Sequence, residues 1–150
     1  MAFKIFFSWQ SDLAPNRTRW LIEEAIKKTK EMLEDVIDVE ADRDTKGMTG
    51  TPDIAETIRN KIDESDLFVA DVSFVASKGN KGIPNPNVMI ELGYASAKLG
   101  WDRVICVLNT EFGGLDMMPF DLRGRRTTPY QITEQHNCIF RPPSTICTVV

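Results

Sequence analysis

At 150 residues the chain is long enough for one domain with a real core, and 42% hydrophobic with 27% charged residues is the balance of an ordinary soluble globular protein. A net charge of −4 with no long basic run argues against nucleic acid as the main partner, and no apolar run reaches the length of a bilayer span. Cys106, Cys138 and Cys147 are odd in number and widely spaced, which fits neither a disulfide framework nor a metal pattern and points to a reducing, cytoplasmic location.

Met1-Ala2-Phe3-Lys4 lacks a signal-peptide pattern. The apolar run Lys4 to Trp9 predicts a strand buried on both faces, as in a parallel sheet. Gln10-Ser11-Asp12 breaks it, and a helix is expected from about Arg17 to Glu34, with Leu21, Ile22, Ala25, Ile26, Met32 and Leu33 on its apolar side. Val36 to Ala41 alternates and reads as a second strand. Asp42 to Pro52 is polar, with two glycines and a proline, and reads as a loop of a length that leans functional. Asp53 begins a second helix, with Ile54, Ala55, Ile58 and Ile62 apolar.

Leu67 to Val72 is a third strand, apolar until Asp71, and Ser73 to Pro86 reads as a second loop. Asn87 stands in the place of a helix N-cap, with Val88, Leu92, Ala95 and Leu99 as one buried stripe. Met89, Ile90 and Tyr94 extend the apolar surface, so this helix is expected to be covered on most sides, with Glu91 as a charge in its first turn. Gly100 is its stop. Val104 to Leu108 is a fourth buried strand, Pro119 to Leu122 a brief helical turn, and Thr127 to Thr133 a fifth, edge strand demoted by Pro129. From Glu134 onward no period is legible, so the domain is drawn at 1–133 and the tail 134–150 is left unassigned.

Strands alternating with helices imply a parallel sheet with right-handed crossovers. The expected fold is α/β: a three-layer, flavodoxin-like domain with a central parallel sheet of four to five strands. Ligands in such sheets bind beyond the carboxyl ends of the strands. Ser8, Trp9, Gln10, Ser11 and Asp12 follow strand one, Arg43 and Asp44 follow strand two, Asp71 ends strand three, and Asn87 and Glu91 open the next helix.

Each of these residues has a plain alternative. Glu91 suits the positive end of a helix, Trp9 suits rim packing, and Asp71 or Asp12 suits a turn. Arg43 has Asp42 and Asp44 beside it as local ion-pair partners. His136 is the single histidine and lies in the tail, which argues against a Ser-His-Asp or Cys-His site and against a metal centre. Gly47 and Gly50 lack the phosphate-loop fingerprint. What remains is carboxylate chemistry. A fixed negative charge stabilises an oxocarbenium-like transition state, and nicotinamide leaves a cationic ring as a neutral molecule with little acid assistance. One glutamate could then cleave an N-glycosidic bond.

Phe6 to Asp12, Asp42-Arg43-Asp44-Thr45, Asp53-Ile54-Ala55, Phe68 to Ser73, Asn85 to Ala95 and Pro119 to Arg123 together resemble bacterial TIR-like (Toll/interleukin-1 receptor-like) nucleotide-binding domains. The resemblance implies a flavodoxin-like fold and NAD+ glycohydrolase or ADP-ribosyl cyclase activity in antiphage defence, with NAD+ as substrate and no cofactor. It implies that Glu91 is catalytic, that Ser8 to Asp12 and Arg43 to Pro52 border the nucleotide, and that copies self-associate through TIR-type contacts. The Asn87 to Ala95 block is also similar to nucleoside 2-deoxyribosyltransferases, for which Asp71 would be the site aspartate. A non-catalytic nucleotide-binding or TIR–TIR interaction module is the alternative from another class.

Overall fold

In the run Phe3–Ser8 every second side chain points to the same side of the strand, so it can serve two cores at once. The computed structural model describes residues 2–33, 39–42 and 53–133, and shows both cores. Strand β1 (Phe3–Ser8) sends Ile5 and Phe7 to one face and Phe6 to the other. The first face is covered by helix α1 (Arg19–Leu33), whose Ile22 is buried and whose Ile26 and Leu33 pack on the cluster. The second is covered by α2 (Ile54–Asp63) and α3 (Pro86–Leu99), through Ile62, Val88, Leu92 and Ala95.

Strands β2 (Val39–Asp42), β3 (Leu67–Asp71), β6 (Val104–Asn109) and β7 (Thr127–Tyr130) complete a five-stranded sheet in the order β2-β1-β3-β6-β7, with every neighbour pair parallel. This is the doubly wound, flavodoxin-like arrangement of three layers. Register places Phe6 opposite Phe68, and their rings stack 5.7 Å apart at the centre of the α2/α3 side. Pro129 lies in β7, the edge strand, where a missing N–H costs least.

Several expectations need correction. Met32 is 83% exposed, because it falls off the face of α1 that meets the sheet. The Arg17 to Glu34 helix begins instead as a separate turn, Pro15–Arg17, followed by α1. Val104 to Leu108 is not buried throughout, since Ile105 is 39% exposed. Ser73 to Pro86 is not merely a loop. It contains an antiparallel hairpin of β4 (Phe74–Lys78) and β5 (Lys81–Pro84), turned at Gly79 with φ of 58°. Phe74 is buried, and a Cβ on Gly82 would lie 2.5 Å from its ring, so the strand closes on that ring only with glycine there. The fold is completed by the short helix α4 (Phe120–Arg123). Cys106 is in the core, where burial pushes its thiol up to about 11. Cys138, Cys147 and the tail 134–150 lie outside the described residues, as does most of the Asp42 to Pro52 loop.

At the end of β6, Asn109 is fully buried with its amide saturated. Its Nδ2 donates to the Arg17 and Ile132 carbonyls, and its Oδ1 accepts from the Glu111 and Ile132 N–H groups. Its own N–H donates to Ser73 Oγ at 2.9 Å. One residue, through its side chain and its own N–H, thus ties the loops after β1, β3, β6 and β7 together. Asn109→Ala removes a partner from two carbonyls and two N–H groups, those of Ile132 buried and those of Arg17 and Glu111 part-buried, and is expected to cost about 2–4 kcal/mol in urea unfolding. A loss below about 0.5 kcal/mol would mean the loops hold without it.

Candidate active site at the carboxyl edge of the sheet

The residues after a parallel strand emerge at its carboxyl end, and the helix that follows starts at that same edge. Here the edge is held by capping. Asn85, not Asn87, is the N-cap of α3: its Oδ1 accepts from the Asn87 and Val88 N–H groups at 2.8 and 3.2 Å. Pro86 takes the first helical position, where its missing N–H costs nothing. The cap shift moves Glu91 into the second turn, and no acidic residue occupies the first. A role for Glu91 in complementing the helix N-terminus is weakened accordingly, since that effect fades within one turn. Nor is α3 covered on most sides, because Ile90 is 73% exposed.

The buried stripe Val88, Leu92, Ala95 faces the sheet, and Glu91 flanks it, half-buried. On β1, Ser8 has the parity of Phe6 and therefore faces α3. The two meet: Ser8 Oγ donates to Glu91 Oε2 at 2.5 Å. A cavity of about 220 Å³ opens around them, lined by Ser8, Trp9, Gln10 and Ser11 from the first strand and its loop, and by Asn87 and Glu91 from α3.

The other expected residues divide. Asp12 is not in the wall; its Oδ2 accepts from Asn85 Nδ2 at 2.6 Å, which pins the first loop to the α3 cap. Trp9 is half-buried, with the Arg19 guanidinium 4.3 Å over its ring, and Arg19 also pairs with Glu23 at 3.2 Å. Asp71 is fully buried behind the wall rather than in it. Its Oδ1 accepts from the Ser73 N–H and its Oδ2 from Gln10 Nε2. Arg43 and Asp44 lie outside the described residues. Among the described residues, no cluster of His, Cys, Asp and Glu could hold a metal ion, and no helix is long and apolar enough to cross a membrane. Asn85 and Asn109 were not singled out as functional from the sequence. The Asn85-Pro86 pair was a legible cap signal, because proline favours the position just inside a helix start.

A three-layer parallel sheet with a carboxylate pocket at the mouth of α3 defines a flavodoxin-like α/β domain with a candidate site at its carboxyl edge. The family model for the CAP12/Pycsar effector protein TIR domain matches residues 21–132, and the chain belongs to that family. The matched span includes Asp71, Asn85 and Glu91, whereas β1 and its loop precede it. A search of curated proteins found no match. Among solved structures, the 2-desoxiribosyltransferase from Leishmania mexicana is similar at 20% identity and a TM-score of 0.46, over 71% of this chain. The chain spans 65% of that structure's length.

Burial pushes the Asp71 carboxyl above the usual carboxylate range, against the pull of its bonds from Ser73 and Gln10. The folded chain therefore takes up this proton before the unfolded chain does. Asp71 favours folding below its unfolded value of about 4, and this contribution is lost as pH rises through the folded value. Comparing the urea stability of the wild type with that of Asp71→Asn between pH 4 and 8 should show the difference shifting against the wild type as pH rises. A difference that is flat with pH would contradict the raised value.

Proposed function

We propose that the chain cleaves the nicotinamide–ribose bond of NAD+, as an effector in antiphage defence, with Glu91 as the catalytic residue. The observation that carries this reading is the Ser8–Glu91 hydrogen bond inside the carboxyl-edge cavity. The bond between the anomeric carbon and the pyridinium nitrogen breaks, and its electron pair stays on the ring nitrogen. Nicotinamide departs neutral, and positive charge appears on the ribose. The Glu91 carboxylate faces that charge and stabilises it in a site partly screened from water. Addition of water then gives the linear product, with a proton released to solvent. Attack by a second ring nitrogen of the same nucleotide gives the cyclic one.

Ser8 holds one carboxylate oxygen in place, so the charge is already aimed before substrate arrives. The Asp12–Asn85 bond fixes the loop that carries Trp9, Gln10 and Ser11 against the start of α3. In this reading copies of the chain self-associate in the active form. Activity per molecule then rises with protein concentration.

The test is nicotinamide release by the concentrated full chain, with products followed by chromatography and mass. Glu91→Gln should lower turnover by about 10³-fold, the scale of removing one electrostatic stabiliser of a transition state. Ser8→Ala should lower kcat by about tenfold with little change in KM, because it frees the orientation of the carboxylate but removes no charge. Full turnover in Glu91→Gln would sink the mechanism. Base exchange on a deoxynucleoside, with NAD+ untouched, would replace it with a transferase. Saturable nucleotide binding that survives loss of the Glu91 charge, with no product at any concentration, would make the chain a binding module.

A further inference from the structure

Gln10 is only 4% exposed, yet it forms part of the cavity wall. Its amide direction is fixed from two sides. Oε1 accepts from the Leu13 N–H at 2.8 Å, and Nε2 donates to Asp71 Oδ2 at 3.3 Å. Turning the amide over would set its NH2 against the Leu13 N–H and its oxygen against the Asp71 carboxyl, which is two losses at once. Asp71 receives donors on both oxygens, from Ser73 and from Gln10, and these favour its ionised form against the burial that raises its carboxyl.

An amide nitrogen carries two hydrogens. Asp71 takes one from Nε2, and the other has no protein partner among the described residues. A buried N–H without a partner is costly and rare, and at the wall of a cavity it is a place for a ligand atom. With Oε1 turned to the Leu13 N–H and one Nε2 hydrogen given to Asp71, what Gln10 has left to offer this cavity is chiefly a donor. Ribose hydroxyls can donate, and the Glu91 carboxylate is there to accept them. A spare donor suits an oxygen that only accepts, and a carboxamide carbonyl is one. The cavity, at about 220 Å³, lies below the usual range for a whole drug-sized ligand, so it suits one ring with its substituent better than an entire dinucleotide.

We infer that Gln10 reads the leaving base by donating Nε2–H to its carboxamide oxygen, with Asp71 as the positioning residue that holds the amide in that direction. The role of the base as leaving group rests on the glycohydrolase reading above; the binding contact can be measured without turnover. The full chain is titrated with nicotinamide and with thionicotinamide, whose sulfur is a weak acceptor, and affinities are read by NMR. The wild type should bind nicotinamide about fivefold tighter than the thioamide, the size of one neutral hydrogen bond. Gln10→Met should bring that ratio close to one, and so should Asp71→Asn, whose single side-chain oxygen cannot serve both Ser73 and Gln10.

A purely structural role would weaken both ligands alike and leave the ratio unchanged. If Gln10→Met unfolds because Asp71 keeps only its Ser73 donor, the double variant Gln10→Met/Asp71→Asn removes the carboxylate and carries the same expectation. An unchanged ratio in the folded variants, or no nicotinamide binding to the wild type, overturns the inference. A Gln10-dependent ratio with no NAD+ cleavage in any assembly would overturn the glycohydrolase instead, and leave Gln10 as a carboxamide reader.

Discussion

The bond from Ser8 to Glu91 joins the two elements on which the site depends, and it exists only because three separate constraints agree. The pleat of β1 must put Ser8 on the same face as Phe6. The cap at Asn85 must start α3 so that Val88, Leu92 and Ala95 meet the sheet and Glu91 falls beside them. The parallel register of β1 with β3 must bring the end of β1 level with the start of α3. A one-residue slip in β1 would turn Ser8 toward α1 and leave the carboxylate without this donor.

Around that contact the sheet edge carries an unusual amount of buried polar chemistry. Ser8, Gln10, Asp71, Ser73 and Asn109 are all almost wholly removed from water. Ser8 is bonded to Glu91, and the others bond to one another or to a loop backbone, with the second N–H of Gln10 left over at the cavity wall. Such networks stabilise only when every member is paired, so they fix loop positions more sharply than apolar packing does. The consequence is a rigid floor beneath a polar pocket. Ser8 and Glu91 are held by a strand and a helix rather than by free loops. The outer contacts between α2 and α3 are of a different kind. Tyr94 donates to Asp63, which also pairs with Lys98, and the Tyr94 bond, then Lys98, holds the exposed Asp63 carboxyl below its usual range. Water screens these, and they steer packing more than they stabilise it.

Much of the architecture was legible from local pattern. Apolar runs with helices between them implied a parallel three-layer sheet, and the observed strand order is the one that pattern implies. Glu91 stood out as a charge in an apolar helix, and it does face a cavity. The hairpin after β3 was missed although its signals were present: Phe74 and Val75, a Gly79-Asn80 turn, then Ile83. It was hidden because two prolines and several polar residues lent the whole stretch the composition of a loop. The capping residue was misplaced by two positions, since either asparagine of the pair offers the same acceptor and only backbone geometry chooses between them.

By itself the sequence determined the fold class, the order of the sheet strands and their helices, and the placing of Ser8 and Glu91 at one sheet edge. Those follow from periodicity and turn chemistry, which act over a few neighbours. Tertiary structure alone decided who touches whom at that edge. Ser8 and Glu91 are separated by 83 positions, Gln10 and Asp71 by 61. Whether such residues meet depends on strand register, crossover hand and helix start, quantities that no local pattern carries. Asp71 shows the difference. In sequence it is a carboxylate at a strand end, equally suited to touching a ligand or capping a turn. In the folded chain it is sealed beneath Gln10, and reaches the pocket only through that amide.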